Sequence, residues 1–336
     1  MNALLPIQRC DFTLEDFQGT STGYHHIEFV EGYYVFHRFP AEALEVFKPN
    51  QTWFVRAEAT SGIRIKFSTN SRRMLLSGKI IEGSPQTEPF IIICNDSVIA
   101  ELPVRGTSGT FDQLFVFTEK EEKIIEICFP AYSKGSIRSL KLDQDADIKP
   151  LKSKGTLVSH GNSITQEGGR YEGYTDIIAR GLNLDLHNAG IGGHIFQPES
   201  LPFAYVNNPS LITVAYGTND WNRGATAENA RPFLEHITAI YPAIPIVMLE
   251  PIHRYRPLDE QGKLATNRNG QSLMDYREAL RNLVKGFPNV KLINYHDILP
   301  DDPSLFPDGV HPSSEGQVVF GKNLLEIIQK DMPDNL

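Results

Sequence analysis

The stretch TLVSHGNSITQEGG (residues 156–169) decides the fold of the second half of the chain. Its first residues, TLVSHG, form the short apolar run that is typical of a buried strand. The run ends at GNS, and polar, glycine-rich sequence follows. Two interpretations of Ser163 follow. It can cap the next helix, which is a common role for serine, or it can be a nucleophile held at the edge of a sheet.

Beyond this stretch, short apolar runs alternate with amphipathic segments of helix length. The alternation predicts a parallel sheet with helices on both faces, in which ligand chemistry belongs at the carboxyl ends of the strands. The runs are TLVSHG (156–161), LDLHNAG (184–190), SLITVAYG (210–217), IPIVMLEP (244–251) and VKLINYHD (290–297), and helices are expected near residues 174–181, 227–240, 272–284 and 314–328.

In the first half of the chain, apolar and polar residues alternate with a period of two. IRIKFS (63–68), KIIEICF (123–129) and SIRSLKL (136–142) are separated from other such runs by polar turns, which predicts a β-sandwich or jelly roll. AEALEVF (41–47) is expected to form one helical turn inside it. The polar segment LDQDADIKPLKSKG (142–155) marks the boundary, which gives a sandwich over residues 1–148 and an α/β domain over residues 149–336.

Composition excludes some classes of function. The chain has 336 residues, of which 40% are apolar and 22% charged, and its formal charge of −9 argues against nucleic-acid or anionic-membrane partners. No window approaches the roughly 18 apolar residues of a membrane span, and the first residues lack the features of a signal peptide. The three cysteines form no CxxC pair, which favours reduced, buried thiols and a cytoplasmic protein. The oligomeric state stays open.

Chemically useful residues collect at the expected strand ends. Ser163 follows the first strand, and FPDGVHPSSEG (306–316) precedes the last helix. A serine hydroxyl needs a base to take its proton, and the base needs a third group to orient it. Asp308 and His311 are three residues apart in a turn, so the carboxylate can hold one imidazole nitrogen while the other faces Ser163.

Acyl transfer also needs donors for the developing oxyanion. The backbone N–H of Ser163, the N–H of Gly193 and the side-chain amide of Asn219 are candidates, and Gly192 is an alternative to Gly193. Asn219 stands in YGTND (216–220), where Asp220 is interpreted as a turn residue.

Four segments resemble the four blocks of the SGNH (GDSL-type) hydrolase superfamily, and they stand in that superfamily's order: GNSIT (161–165), NAGIGG (188–193), GTND (217–220) and DGVH (308–311). The resemblance makes Ser163 the nucleophile, His311 the base and Asp308 its partner. The β-rich first half is similar to two-domain members, the polyketide-tailoring acyltransferases and the carbohydrate acetylesterases. The resemblance implies a flavodoxin-like three-layer α/β/α domain without metal or cofactor. Asn162 departs from the usual aspartate, but it can still accept backbone hydrogen bonds.

Other residues are expected to contact the substrate or to have structural roles. The loops after the third and fourth strands make Trp221, Arg223, His253, Arg254 and Tyr255 candidate substrate contacts, with His194 beside them. The long run HRYRPLDEQGKLATNRNGQ (253–271) is either a lid or a solvated loop, and aromatics of the first half, Trp53, Tyr33 and Tyr34, either bind carbohydrate or form core. No histidine pair has zinc-site spacing, so no metal is expected.

The sequence thus predicts a serine esterase that removes a short acyl group, first of all acetyl, from a carbohydrate or small metabolite. An acyltransferase using the same site is the alternative within this chemistry. A non-catalytic carbohydrate-binding module with a degenerate hydrolase domain is the alternative from another class.

Overall fold

The chain forms two compact units. The structure is a computed structural model, and it describes residues 9–81, 87–103, 108–118, 120–201 and 206–331, without the side chains of Arg9 and Cys10. One unit is formed by Met1–Arg38 with Glu58–Lys152, and the other by Phe39–Ala57 with Ser153–Leu336. The boundary between residues 152 and 153 lies close to the one expected after residue 148. Residues 39–57, however, belong to the second unit, although the sequence pattern places them inside the sandwich.

The first unit is built from antiparallel strands. In its described residues they form two sheets, one with the order β3-β4-β11-β6-β9 and β1 beside β11, the other with the order β12-β5-β10-β7-β8 and β2 beside β5. The strands are β1 (Arg9–Asp11), β2 (Ser21–Thr22), β3 (His26–Val30), β4 (Tyr33–His37), β5 (Arg64–Thr69), β6 (Arg73–Ile81), β7 (Phe90–Cys94), β8 (Ser97–Leu102), β9 (Gly109–Val116), β10 (Lys123–Cys128), β11 (Lys134–Asp143) and β12 (Lys149–Pro150).

The core of this unit lies between the two sheets, as a sandwich requires. Ile65 and Phe67 of β5 and Ile127 of β10 pack with Leu76 of β6 and Leu142 of β11, and all five side chains are fully buried. Helix α1 (Leu14–Thr20) begins with a capping box in which the side chains of Thr13 and Asp16 each bond to the other's backbone N–H. The predicted β-rich, antiparallel first unit is therefore confirmed, and it includes α1 as a helix that the sequence pattern does not predict.

The second unit contains a parallel five-stranded sheet with the order β14-β13-β15-β16-β17. Counted along the chain this is 2-1-3-4-5, the flavodoxin-like order, and its switch point lies between β13 and β15. The predicted flavodoxin-like α/β fold is thus confirmed. The strands are β13 (Thr156–Gly161), β14 (Asp185–Gly190), β15 (Leu211–Ala215), β16 (Ile246–Leu249) and β17 (Val290–Ile293).

Helices cover both faces of this sheet. Val158 and Val214 face a layer that includes Phe233 and Leu280, whereas Leu157 on the opposite face packs in a separate cluster with the other layer. The helices that follow β13 are α4 (Ser163–Gly168), α5 (Tyr174–Leu182), α6 (Thr218–Asn222), α7 (Arg231–Ile240), α8 (Leu273–Val284), α9 (Tyr295–Ile298) and α10 (Ser314–Asp331), and 3₁₀ turns span Pro198–Ser200, Ala227–Ala230 and Pro303–Leu305.

Two further helices of this unit come from the first half of the chain. Helices α2 (Ala41–Phe47) and α3 (Gln51–Glu58) place Phe47 and Trp53 in a buried cluster with Ala189 and Ile191, at the carboxyl end of β14. The helix expected at residues 41–47 is present, and it packs against the α/β unit. In the described residues, no helix is long and apolar enough to cross a membrane.

Candidate active site

Ser163 lies at the carboxyl end of β13, next to the switch point of the sheet. Asn162 is the N-cap of α4, because its side-chain Oδ1 accepts a hydrogen bond from the N–H of Ile164 at 3.0 Å. Ser163 is the first residue of the helix. The helix-cap interpretation of Ser163 is therefore wrong, and the cap is the residue before it. Asn162 performs the backbone role expected of it and leaves the serine hydroxyl to other partners.

The three residues expected to form a triad are linked in a row, with His311 within hydrogen-bond distance of both Ser163 and Asp308. The Oγ of Ser163 is 2.8 Å from the Nε2 of His311, and the Nδ1 of His311 is 2.6 Å from the Oδ2 of Asp308. The side chains of His311 and Asp308 are 38% and 56% exposed, so this end of the site is open to solvent. The spacing of three residues between Asp308 and His311 thus brings the carboxylate to one ring nitrogen and leaves the other for Ser163.

A tight turn holds the Asp308–His311 pair. The Oδ1 of Asp308 accepts hydrogen bonds from the N–H groups of Val310 and His311, at 2.8 and 2.7 Å. Gly309 has a φ of +77°, which favours glycine, and its carbonyl accepts a hydrogen bond from the N–H of Tyr255 at 2.8 Å. The long loop after β16 therefore supports this turn.

The turn also sets the charge state of Asp308. Partial burial raises the pKa of this carboxyl, but the hydrogen bonds from the backbone and ring of His311 and from the backbone of Val310 outweigh burial and lower the pKa to about 2. The carboxylate is therefore ionised at neutral pH. In that state it can orient the imidazole and stabilise its protonated form.

Asn219 lies in α6, which follows β15, the second strand that borders the switch point. Its Nδ2 donates a hydrogen bond to the carbonyl of His194 at 3.0 Å, which uses one of the two hydrogens of the amide. The neighbouring Asp220 is buried, and its two oxygens accept hydrogen bonds from the N–H groups of Phe196 and Gly217, both at 3.1 Å. Asp220 is thus a turn residue, as expected, and it also ties α6 to the loop after β14.

Burial raises the pKa of Asp220 to about 6, although its hydrogen bonds from Phe196 and Gly217 act in the opposite direction. Gly217 has a φ of +105°, and a side chain there would press on Pro251. The GTND segment therefore has a backbone role at both ends, Gly217 and Asp220, with Asn219 between them.

Hydrogen bonding in the glycine loop after β14 distinguishes Gly192 from Gly193, the two candidate oxyanion donors. The N–H of Gly192 donates a hydrogen bond to the Oε1 of Gln166 at 2.7 Å, and the Nε2 of Gln166 donates to the carbonyl of Arg56 at 3.2 Å. The N–H of Gly193 makes no hydrogen bond within the described parts of the chain. Gln166 stands in the quoted stretch three residues after Ser163, and sequence reasoning missed it because an isolated glutamine gives no signal.

His194 is buried beside this loop. Its Nδ1 lies 3.0 Å from the hydroxyl of Tyr216 and its Nε2 lies 2.8 Å from the Oε1 of Gln197. Burial lowers the pKa of His194 to about 4, so the imidazole is neutral at pH 7. A neutral ring then donates from Nε2 and accepts at Nδ1. These contacts make His194 a support of the loop, with no face open to a substrate.

Helix α3 packs against the same loop through Trp53. The indole of Trp53 contacts the ring of His194 edge-on, with 4.9 Å between the ring centres, and the guanidinium of Arg223 lies 5.3 Å from the Trp53 ring centre. The Nη2 of Arg223 donates a hydrogen bond to the carbonyl of Gly193 at 3.0 Å. The sequence leaves Trp53 as either a carbohydrate contact or a core residue of the sandwich, but it is a core residue of the α/β unit, in a cluster with Ala189 and Ile191.

Two of the expected substrate contacts are buried elsewhere. The indole N–H of Trp221 donates to the carbonyl of Gln271 at 3.0 Å, and only 1% of Trp221 is exposed. His253 is buried, with its Nε2 3.1 Å from the carbonyl of Leu299. Tyr255 donates from its hydroxyl to Asp301 at 2.7 Å. Trp221 and His253 are therefore excluded from the substrate contacts that we propose below.

Arg254 contacts α6, the helix that carries Asn219. Its Nη1 and Nη2 are each 3.4 Å from an oxygen of α6, the Oγ1 of Thr218 and the Oδ1 of Asn222, and its Nε donates to the carbonyl of Arg256 at 2.6 Å. Because Tyr255 bonds to the Asp308 turn, residues 254–255 connect α6 to that turn. Among the residues that the structure describes, no group of three or more His, Cys, Asp or Glu side chains has a metal-binding arrangement.

Known proteins are similar to this chain in fold. No curated protein matches the sequence. Among solved structures, the salicylyl-acyltransferase SsfX3 from a tetracycline biosynthetic pathway is 19% identical, with a TM-score of 0.78 over 94% of this chain and 95% of that chain. A putative GDSL-like lipase from Bacteroides ovatus is 17% identical, with a TM-score of 0.74 over 97% and 98%. The acetyl xylan esterase Est2A from Butyrivibrio proteoclasticus is 12% identical, with a TM-score of 0.58 over 81% and 91%.

These likenesses concern the fold, because each identity is low. The family is given by a sequence match: the model of the GDSL-like lipase/acylhydrolase family matches residues 159–319, which include Ser163, Gly193, Asn219, Asp308 and His311. The chain therefore carries a domain of the GDSL-like lipase/acylhydrolase family and is an enzyme of the SGNH hydrolase type.

Proposed function

We propose that the protein is a serine esterase in which Ser163 is the nucleophile, His311 the general base and Asp308 the residue that orients the base. The observation that carries the proposal is the unbroken chain of contacts from Ser163 Oγ to His311 Nε2 at 2.8 Å and from His311 Nδ1 to Asp308 Oδ2 at 2.6 Å. His311 would take the proton of Ser163 as its oxygen attacks the ester carbonyl. The same proton would then pass to the departing alcohol.

The proposed oxyanion donors are the N–H of Ser163, the N–H of Gly193 and the second amide hydrogen of Asn219. Gly193 is preferred to Gly192 because the N–H of Gly192 is already bonded to Gln166 at 2.7 Å. The first amide hydrogen of Asn219 is held by the carbonyl of His194, which fixes the direction of the second. Donors fixed in this way cost no reorganisation when charge develops on the carbonyl oxygen.

We further propose that the acyl group is short, with acetyl first, and that the alcohol is a carbohydrate or a small metabolite. Hydrolysis is preferred to transfer because the side chains of His311 and Asp308 are 38% and 56% exposed, so water can reach the acyl-enzyme. The fold shared with an acetyl xylan esterase supports this substrate class. Transfer to an acceptor alcohol is the second candidate, favoured by the fold shared with an acyltransferase over 94% of the chain.

The proposal is tested by hydrolysis of p-nitrophenyl esters of increasing chain length. The wild type should prefer acetate, and Ser163→Ala should lower kcat by about 10,000-fold or more. Ser304→Ala, which changes an exposed serine of the same unit, is the matched control and should keep wild-type kinetics. Equal rates for the wild type and Ser163→Ala would contradict the proposal. Added acceptor alcohols distinguish the two candidates, since a transferase forms a new ester faster than it releases acetate.

A cytoplasmic location is part of the same proposal. It is supported by the placement of two thiols, since Cys128 is buried and Cys94 is half-buried. The side chain of Cys10 lies outside the described residues. Cell fractionation followed by immunodetection tests the location.

A further inference from the structure

Two arginines lie next to the helix that carries Asn219. Arg223 follows α6 directly and donates to the carbonyl of Gly193 at 3.0 Å. Arg254 approaches α6 from the loop after β16, where its guanidinium is 3.4 Å from oxygens of Thr218 and Asn222. The two cations therefore contact the segments that carry the proposed oxyanion donors Gly193 and Asn219.

Neither cation is neutralised by a bound carboxylate. No carboxylate oxygen of the described residues lies within 4.0 Å of a nitrogen of Arg223 or Arg254, and their polar contacts are a hydroxyl, an amide and two carbonyl oxygens. Some other arginines of the same unit do pair with carboxylates. Examples of such pairs are Arg180–Asp176, Arg231–Glu228 and Arg281–Glu250.

The carboxylate that acts on Arg254 is that of Asp308, and it is already engaged. Its Oδ2 contacts His311, and its Oδ1 accepts two backbone hydrogen bonds. Burial lowers the pKa of Arg254, whereas the charge of Asp308 raises it, so this arginine is a partly desolvated cation beside the triad. A guanidinium has five N–H donors and can bind a carboxylate or phosphate in a bidentate manner. Three of these donors of Arg254 already contact Arg256, Thr218 and Asn222, which leaves two for such a ligand.

We propose that the site selects esters whose alcohol portion carries an anionic group, a carboxylate or a phosphate, and that Arg254 binds this group while Arg223 adds positive potential. The inference rests on the proposed esterase function. The alcohol side is assigned because Arg254 lies next to the turn that holds His311, the residue that would protonate the departing alcohol. A charge-assisted contact there orients the leaving oxygen toward the imidazole.

The test compares three acetyl esters of similar alcohols: 3-acetoxybenzoate, its neutral methyl ester and 3-acetoxyphenyl phosphate. The readout is the ratio of kcat/KM for each anionic ester to that for the neutral one. We expect a ratio of about 10 or more in the wild type, a fall of about 10-fold in Arg254→Gln, a smaller fall in Arg223→Gln and partial retention in Arg254→Lys, which keeps the charge but loses the planar fork. The two anionic arms tell carboxylate from phosphate recognition.

The control is Arg231→Gln, which makes the same charge change at an arginine paired with Glu228 and should leave the ratio unaltered. The ratio should also fall as ionic strength rises, because salt screens exposed charges. If the neutral ester is hydrolysed in a Ser163-dependent manner and the ratio is equal in the wild type and Arg254→Gln, this inference is overturned while the esterase function stands.

A binding measurement covers the case in which no ester is hydrolysed, which would contradict the esterase function itself. Ser163→Ala protein is titrated with 3-hydroxybenzoate and with its methyl ester, with and without Arg254→Gln. Preferential binding of the anion that depends on Arg254 supports the anion site independently of turnover. Equal binding of the anionic and neutral compounds overturns it.

Discussion

Two adjacent residues divide the work at the end of β13. Asn162 satisfies the N–H of Ile164, which is the ordinary task of a helix N-cap, so the hydroxyl of Ser163 is available to His311. Adjacent residues therefore have different roles: Asn162 stabilises the backbone, and Ser163 is the proposed nucleophile. The sequence offers Ser163 as the cap and Asn162 only as an acceptor of backbone hydrogen bonds, because Asn and Ser cap helices about equally well and the pattern does not tell which of the two does so.

Asn219 permits the sharpest prediction at this scale. Asn219→Ala should lower kcat by about 100- to 1,000-fold and change KM little, because an oxyanion donor acts on the transition state. Asn229→Ala, at an exposed position in the same unit, is the control. Steady-state kinetics with p-nitrophenyl acetate measures both. A change confined to KM would assign Asn219 to substrate binding instead.

The turn at Asp308 makes a prediction about stability and pH. Its pKa of about 2 lies below the ordinary value of 3.8, so ionised Asp308 stabilises the fold at pH values above about 4, and this contribution is lost as the pH falls through about 2. Asp308→Asn should be less stable than the wild type near neutral pH, and the difference in the free energy of unfolding should shrink between pH 4 and pH 2. Urea unfolding at several pH values measures it. A difference independent of pH would contradict the assignment.

At the scale of elements, the important contact joins α4 to the loop after β14 and to α3. The Oε1 of Gln166 accepts the N–H of Gly192, and its Nε2 donates to the carbonyl of Arg56. The periodicity of the sequence predicted the strands and helices that meet here, since that signal is local. It did not predict this contact, because the partners are separated by 26 and 110 residues.

We expect Gln166→Leu to disturb catalysis without touching the triad. Leucine fills a similar space but leaves the N–H of Gly192 buried without an acceptor, which costs about 1–3 kcal/mol of stability. The loop that carries Gly193 should then loosen, so kcat falls more than KM changes. Gln166→Glu, which keeps the acceptor, should retain more activity than Gln166→Leu. Equal loss in both variants would mean that the acceptor is not what matters.

Strand β11 shows how an element can depart from a simple pattern. SIRSLKL reads as alternating, yet Ile137, Leu140 and Leu142 are all fully buried. An irregularity in the pairing with β6 between Ile137 and Ser139 shifts the register by one residue, so that all three side chains reach the same core. The strand was predictable from its apolar content. The bulge was not, because a strict period of two has no place for the extra residue.

At the scale of the whole molecule, the second unit is built from two separated parts of the chain. Phe39, Phe47 and Trp53 are buried against Ala189 and Ile191, which lie next to the glycine loop of the candidate site. Large apolar side chains each contribute about 1.5–3 kcal/mol when buried, and a typical domain is stable by only about 5–15 kcal/mol. The contribution of residues 39–57 is thus comparable with the stability of the whole unit.

A chain that begins at Ser153 should therefore be markedly less stable and less active than the intact protein, even though it contains all the proposed catalytic residues. The matched comparison joins residues 39–57 to its N-terminus through a flexible linker, and this version should regain much of the melting temperature. Thermal unfolding and esterase assays measure both. Equal melting temperatures with and without residues 39–57 would show that the helix pair does not stabilise the unit.

The sequence by itself determined the order of the elements, the parallel sheet and the residues at its strand ends. Period-two and helical patterns are local, and a parallel sheet necessarily brings its strand ends to one edge. Ser163, Asn219, Asp308 and His311 could therefore be named as one site before any coordinates were considered, and their catalytic roles stay predictions.

Tertiary structure alone decided three further points: that the N–H of Gly192 is already bonded, that Trp221 and His253 are buried away from solvent, and that residues 39–57 pack against the α/β unit. Each of these depends on which distant segments pack together. Such packing depends on how well two surfaces fit each other. Neither segment alone therefore shows it as a periodic pattern in its sequence.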